Sequence, residues 1–194
     1  MTGPWFEQPT LTGEYVRLEP LTLAHAEDLY RAADDPILFH WTWRPIESVS
    51  DATEYISHAL DDPQRLAYVQ IDTATGVVVG TTSYYQIDPL HQSLAIGYTW
   101  LSRSAQGGRI NPEAKLLLLR RAFEDLGAVR IEWHTDELNA HSRGAIAKLG
   151  AEFEGLLRKH RRRQDGSWRN TALFSMIDDD WPLARAQLEA RISE

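Results

Sequence analysis

Cysteine is absent from all 194 residues, which excludes disulfides, thiolate-held zinc, iron–sulfur clusters and a cysteine nucleophile together. The compartment this points to is the cytoplasm. Positive charge is in deficit: 20 Lys and Arg stand against 28 Asp and Glu, a formal net charge of -8 with histidine neutral. That balance argues against non-specific nucleic-acid binding and favours a cationic small molecule or basic peptide as ligand. Long apolar runs are also lacking. No stretch reaches the ~18 apolar residues of a membrane span, and the opening Met1-Thr2-Gly3-Pro4-Trp5 carries no basic region followed by an apolar core. No membrane partner and no export are expected. The seven histidines, at 25, 40, 58, 91, 134, 141 and 160, show no ligand spacing with carboxylates, so no metal is expected.

What is present is a globular composition, 43% hydrophobic and 25% charged, far from that of a disordered chain. The length suits one domain of roughly 100–200 residues, expected to span 1–194 without a linker or repeat.

Read for period, 14–19 alternates as a strand, and Thr22 caps a helix running to Ala33. Ser50 or Asp51 caps a second helix ending at Leu60, beyond an aromatic loop that holds Phe39, Trp41 and Trp43. Leu66 to Asp72 and Val77 to Ile87 read as an antiparallel hairpin around Thr73-Ala74-Thr75-Gly76, followed by a strand from Ser93 to Leu101. Gln106-Gly107-Gly108-Arg109-Ile110 then leads to Asn111-Pro112-Glu113, where Asn111 as N-cap and Pro112 at the first helical position start a long helix to Leu126. Val129–Thr135 is a further strand, and 139–149 a short helix closed by Gly150. Ala151–Leu157 and Trp168–Ile177 are strands flanking Asp165-Gly166, and Asp180-Trp181-Pro182 starts a last helix. The fold class is mixed α/β.

A glycine-rich turn between a strand and a helix N-terminus is an anion site in principle, because unpaired N–H groups and the helix dipole face outward there. One strand later come Asn139-Ala140-His141-Ser142 and Leu149-Gly150. With the opening Val16-Arg17-Leu18-Glu19-Pro20-Leu21, the strand Ala95-Ile96-Gly97-Tyr98, Glu154-Gly155, Phe174-Ser175-Met176 and Asp180-Trp181-Pro182, the chain resembles the GNAT superfamily of acyl-CoA-dependent N-acyltransferases. Within it, the likeness is to the branch containing the bacterial ribosomal-protein N-terminal (Rim-type) acetyltransferases.

The resemblance implies a mostly antiparallel sheet splayed between the Ser93–Leu101 and Val129–Thr135 strands, with the pantetheine arm of acetyl-CoA in the gap. Backbone groups near Trp100 and Leu101 would pair with that arm. The pyrophosphate would lie on the N–H groups of Gln106, Gly107, Gly108, Arg109, Ile110 and Asn111, and Asn139 would bond the arm near its sulfur or else only cap the helix that follows. It implies an acetyl-CoA-dependent acyltransferase that acts on a primary amine, of a small molecule or a protein N-terminus, by direct attack in a ternary complex. A non-catalytic coenzyme A or amine sensor is the alternative. The partners are an acyl-CoA and an amine acceptor, with a homodimer left open.

The chain departs from the family pattern in three places, at four residues. Arg109 and Asn111 stand where small residues usually admit the phosphates. Arg109 either grips phosphate or is a solvated arginine. Ile146 stands where many members place a tyrosine that protonates the leaving thiolate. Ser142 fills the place of the acid in the ribosomal-protein branch, or merely bonds backbone in the first helical turn. Ala95 stands where an acidic residue often relays the amine's proton. His134, which shares a strand face with Glu132, has the intrinsic pKa of a base, with a structural histidine or a water chain as the other readings. Trp41 and Trp43 are candidates to line the acceptor pocket. Tyr84 and Tyr85 alternate faces, and Tyr84 is taken as the one at the cleft. The run Arg158-Lys159-His160-Arg161-Arg162-Arg163 reads as a solvated hairpin tip, or as a contact for the coenzyme's ribose phosphate or an acidic partner.

Overall fold

Val16 and Leu18 are fully buried while Arg17 and Glu19, which alternate with them, are half exposed, the alternation of a strand with one face on a core. In the computed structural model, which describes residues 3–41 and 44–193, this strand joins an eight-stranded sheet. The strands are β1 (Leu11–Thr12), β2 (Val16–Pro20), β3 (Leu66–Asp72), β4 (Val78–Asp88), β5 (Ser93–Leu101), β6 (Arg130–Asp136), β7 (Glu152–Arg162) and β8 (Trp168–Ile177). Their order is β1-β2-β3-β4-β5-β6-β8-β7. Every neighbouring pair is antiparallel except β5 and β6. A parallel pair needs a crossover, and α3 (Ile110–Arg120) with its terminal π turn Arg121–Asp125 supplies it.

Two cores result. On one face α3 and α5 (Trp181–Ser193) pack with Tyr84, Ile96, Ile131 and Trp133, and Ile146 of α4 (Ala140–Ala147) joins them. On the other, α1 (Ala26–Ala32) and α2 (Val49–Leu60) bury Leu29, Ile56, Val69 and Trp100. Since α1 and α2 pack on β3 and β4, the same face of β6, β8 and β7 stays largely uncovered.

Four local readings are corrected. Ser48, not Ser50 or Asp51, caps α2, its hydroxyl accepting from Asp51 N–H at 3.1 Å. The helix expected from Thr22 opens instead with a 3-10 turn, Leu23–His25, with Thr22 and His25 forming a capping box. Helix α3 begins at Ile110, so Asn111 lies inside it rather than at its cap. The strand expected to end at Leu157 runs on to Arg162, so Arg158 to Arg162 lie exposed on β7 beside the hairpin turn, paired with β8 through Arg161–Arg169.

Lys115 is an unusual core residue, 5% exposed, its ammonium bonded to the hydroxyls of Thr82 (3.0 Å) and Thr99 (2.7 Å). Burial pushes its pKa down from 10.5 to about 7. The unfolded chain therefore binds this proton between pH 7 and 10.5 where the native protein does not, and stability rises with pH across that window. Denaturation midpoints measured from pH 7 to 10 should show the rise in the wild type and lose it in Lys115→Met. A flat wild-type profile would contradict the assignment.

Candidate active site

Ser93, Leu94 and Ala95 pair with Arg130, Ile131 and Glu132, and there the β5–β6 ladder ends. Beyond it β5 stays on β4 through a bulge at Tyr98, whose φ of 52° lies in the left-handed region. A bulge bends and twists its strand, so β5 turns off β6 and a fork opens. Ser102 N–H donates to the Val79 carbonyl at 2.8 Å. By the alternation of an antiparallel pair, Leu101 then turns its own N–H and C=O toward the fork, whereas those of Trp100 face β4. This corrects the expectation for Trp100. Its ring is buried as well, the indole N–H donating to the Tyr55 hydroxyl at 3.3 Å. The Leu101 carbonyl accepts from the Gln106 side chain at 2.9 Å, which leaves the Leu101 N–H as the strand's group for a ligand.

At the start of α3 no side chain caps the helix, so its first-turn N–H groups face outward. Asn111 does not help, and its Oδ1 is buried without a partner. Gly107 has φ 78°, and a Cβ on Gly107 or Gly108 would meet nothing within 4 Å, so the loop lies under open space. It floors a groove of about 620 Å³ with Tyr15, Thr73 and Arg109 on its walls. The Arg109 guanidinium donates to the Tyr15 hydroxyl at 3.1 Å and lies 5.0 Å from the ring centroid. Tyr15 is held in turn from α3, because the buried Glu113 carboxylate accepts from the N–H groups of Glu14 (2.8 Å), Tyr15 (2.6 Å) and Val16 (2.8 Å). An uncapped helix start, two glycines and one arginine over an open groove fit a phosphate-bearing ligand.

On the other side of the fork, Asn139 caps α4, its Oδ1 accepting from Ser142 N–H at 3.0 Å. The Ser142 side chain is half-buried. Ile146 is core.

Across the uncovered face, Tyr85 reaches over β5 to β6. Its hydroxyl is 2.8 Å from His134 Nδ1, and its ring lies where a Cβ on Gly97 would come within 2.8 Å. Glycine at 97 is what lets the ring cross. His134 Nε2 is 3.5 Å from Glu132 Oε2, and Arg130 Nε fixes that carboxylate at 2.7 Å. His160 packs 6.2 Å from the His134 ring and its Nδ1 lies 3.1 Å from the Thr171 hydroxyl. Burial, more than anything else, lowers the His134 pKa below 6.5; Glu132 opposes this, and His160, Arg161 and Arg169 reinforce it. Burial likewise holds the Tyr85 phenol well above its usual value. A protonated phenol and a neutral imidazole are thus in contact beside the fork.

Tyr84 is not at the cleft. It is 2% exposed in the α3-side core and donates to the Leu118 carbonyl. Tyr85, the residue passed over, takes the cleft face. Trp41 lines a second pocket of about 580 Å³ with Phe39, Leu138, Arg163 and Gln164, and Trp43 lies outside the described residues. Among the described residues no group of three or more His, Asp or Glu is placed to hold a metal ion, and no helix is long and apolar enough to cross a membrane.

A family model for the acetyltransferase (GNAT) domain matches residues 16–152. Among solved structures, the chain is similar to a GCN5-related N-acetyltransferase from Brucella melitensis, at 31% identity and a TM-score of 0.92, covering 96% of this chain and 86% of that one. A protein from T. thermophilus assigned as an acetyltransferase matches at 35% identity and a TM-score of 0.87, covering 96% and 98%. The microcin C7 self-immunity acetyltransferase MccE, solved in complex with acetyl-CoA and AMP, shares the fold at 22% identity and a TM-score of 0.73, covering 85% and 93%. No curated protein sequence matched.

Proposed function

Because the chain belongs to the GNAT acetyltransferase family, whose members are acyltransferases that use acetyl-CoA, we propose that residues 1–194 act as one domain transferring acetyl directly to a primary amine in a ternary complex. The observation that carries this reading is the fork beyond Ala95, with an uncapped helix start on one side and the Tyr85–His134 pair on the other. Acetyl-CoA supplies the acetyl group as a thioester, and the amine nitrogen forms the new C–N bond as the C–S bond breaks.

Gly107, Gly108, Ile110 and Asn111 offer backbone N–H groups to the phosphates, Arg109 adds its charge, and Leu101 N–H and Asn139 hold the arm; Gln106, expected among the phosphate donors, instead gives its N–H to the Arg103 carbonyl at 3.3 Å. The negative charge of Glu132 favours the His134 tautomer with its proton on Nε2, so Nδ1 accepts from the Tyr85 hydroxyl. Tyr85 then takes the amine's proton as it passes its own to His134, and Glu132 faces the imidazolium that forms. Ser142, at the start of α4, gives its proton to the departing sulfur and regains one from solvent, as the imidazolium releases the amine's proton to solvent. Trp41, with Trp43, borders the acceptor. The acceptor is a small molecule or, as in the ribosomal-protein branch, a protein N-terminus.

A thiol-release assay over amines and N-terminal peptides tests the proposal, and coenzyme binding without turnover on any of them would favour a sensor. Arg109→Ala should weaken acetyl-CoA binding by about tenfold or more, as loss of a charge-assisted bond does, and dephosphorylated pantetheine analogues by much less. Equal losses in titration calorimetry would remove the phosphate grip. Ser142→Ala should lower kcat by about 10²-fold with coenzyme affinity unchanged. Unaltered turnover would leave Ser142 as a helix residue only.

A further inference from the structure

Five arginines crowd the uncovered face around the Tyr85–His134 pair, and only two of them are paired. Arg130 is held by Glu132 and Glu154, and Arg163 by Asp136. Arg65, Arg161 and Arg169 have no carboxylate within ion-pair distance among the described residues. Arg65 is the telling one: it is 6% exposed, a cation taken out of water without an anion. Its Nε donates to the Ser83 hydroxyl at 3.0 Å, and its guanidinium stacks 3.8 Å from the centroid of Tyr98, which in turn edges Tyr85 at 5.2 Å. Arg169 is half-buried, its Nε on the Thr171 hydroxyl at 3.0 Å, and it sits directly across the strand pair from Arg161, on the same face. Burial draws the Arg169 pKa below its usual value; Asp136, beyond ion-pair distance, opposes this, and repulsion from Arg161 reinforces it. Burying a cation or apposing two without a counter-ion costs stability. The carboxylates of this face are already engaged, Asp136 by Arg163 and Glu132 by Arg130.

On the acetyl-transfer reading above, we infer that Arg65, Arg161 and Arg169 form an anion subsite, so the acceptor is an amine that also carries a carboxylate or a phosphate. The missing counter-charge is then the substrate's own. The positive surround serves the chemistry too, because it lowers the pKa of a bound ammonium and so favours the neutral nucleophile. A net charge of -8 pointed to a cationic ligand; the local field at this face has the opposite sign.

The test uses matched amines at saturating acetyl-CoA: α-amino acids against their carboxamides, and O-phosphoethanolamine against ethanolamine. Thiol release should favour the anionic member by at least about tenfold in kcat/KM in one arm, which tells carboxylate from phosphate. The preference should fall toward parity in the Arg161→Gln/Arg169→Gln double variant, chosen because Arg65 is embedded in the core. In parallel, calorimetry on the coenzyme A-saturated protein compares N-acetylated amino acids with their amides, and N-acetyl-O-phosphoethanolamine with N-acetylethanolamine. Anion-selective binding lost in the double variant supports the subsite even if no amine turns over, an outcome that would sink the transfer reading alone. Equal binding and turnover of neutral partners, or a preference the double variant retains, overturns the subsite.

Discussion

His134→Ala is expected to lower kcat/KM for the amine by about 10²–10³-fold, the usual span for a lost general base, while acetyl-CoA affinity stays near wild type. The loss arises because the Tyr85 hydroxyl, 2.8 Å from Nδ1, then has nowhere to pass its proton. Tyr85→Phe keeps the ring over Gly97 and removes only the hydroxyl, so a similar loss in kcat would assign the step to the pair rather than to packing. The pH profile gives an independent sign. Burial holds His134 neutral below its ordinary 6.5, so the acid limb of kcat/KM lies below pH 6.5, where protonated Nδ1 no longer accepts. An acid limb above 6.5, or one that persists unchanged in His134→Ala, would exclude this histidine as the base.

Glu113→Ala should cost about 3–5 kcal/mol of stability, the largest single effect expected outside the site. One carboxylate, 6% exposed, accepts three backbone N–H groups of the β1–β2 turn, and each buried donor left unsatisfied costs about 1–3 kcal/mol. For a chain of this size the melting temperature should fall by about 10 °C. Glu113→Gln tests the charge, since its amide presents one acceptor oxygen and a donor group that opposes the three amides; it should recover only part of the loss. A drop under about 3 °C in Glu113→Ala would mean that water replaces the carboxylate without cost. Gly13 belongs to the same device: a Cβ there would run into the Glu113 carboxylate.

Most elements were legible because their periodicity is strong. The β3–β4 hairpin, the strand from Ser93 to Leu101, α5 starting at Trp181 and the closing glycines at 127 and 150 stand where turn residues and apolar alternation put them. The α3 start slipped because Asn111 and Pro112 make an attractive cap signal, yet the chain enters the helix at Ile110 through an uncapped Arg109. The cleft tyrosine was missed for a physical reason. In Thr81-Thr82-Ser83-Tyr84-Tyr85 no apolar alternation says which parity faces the core, and both phenols have polar partners, Leu118 carbonyl for one and His134 for the other. A usable clue was Gly97, a strand glycine that marks the close approach of another group. The arginine subsite was invisible because Arg65 lies far along the chain from Arg161 and Arg169, and only the fold brings them around one tyrosine–histidine pair.

The Glu113 clasp also imposes a timetable on the nascent polypeptide. The three amides it receives lie 97 to 99 positions upstream, so the N-terminal ribbon leaves the exit tunnel long before its anchor is synthesised. It can zip to β3 once residue 72 has emerged, but its turn waits in water until α3 follows. Closure of that long loop is thus a late step, and the wall that Tyr15 gives to the groove over the glycine loop is completed only then.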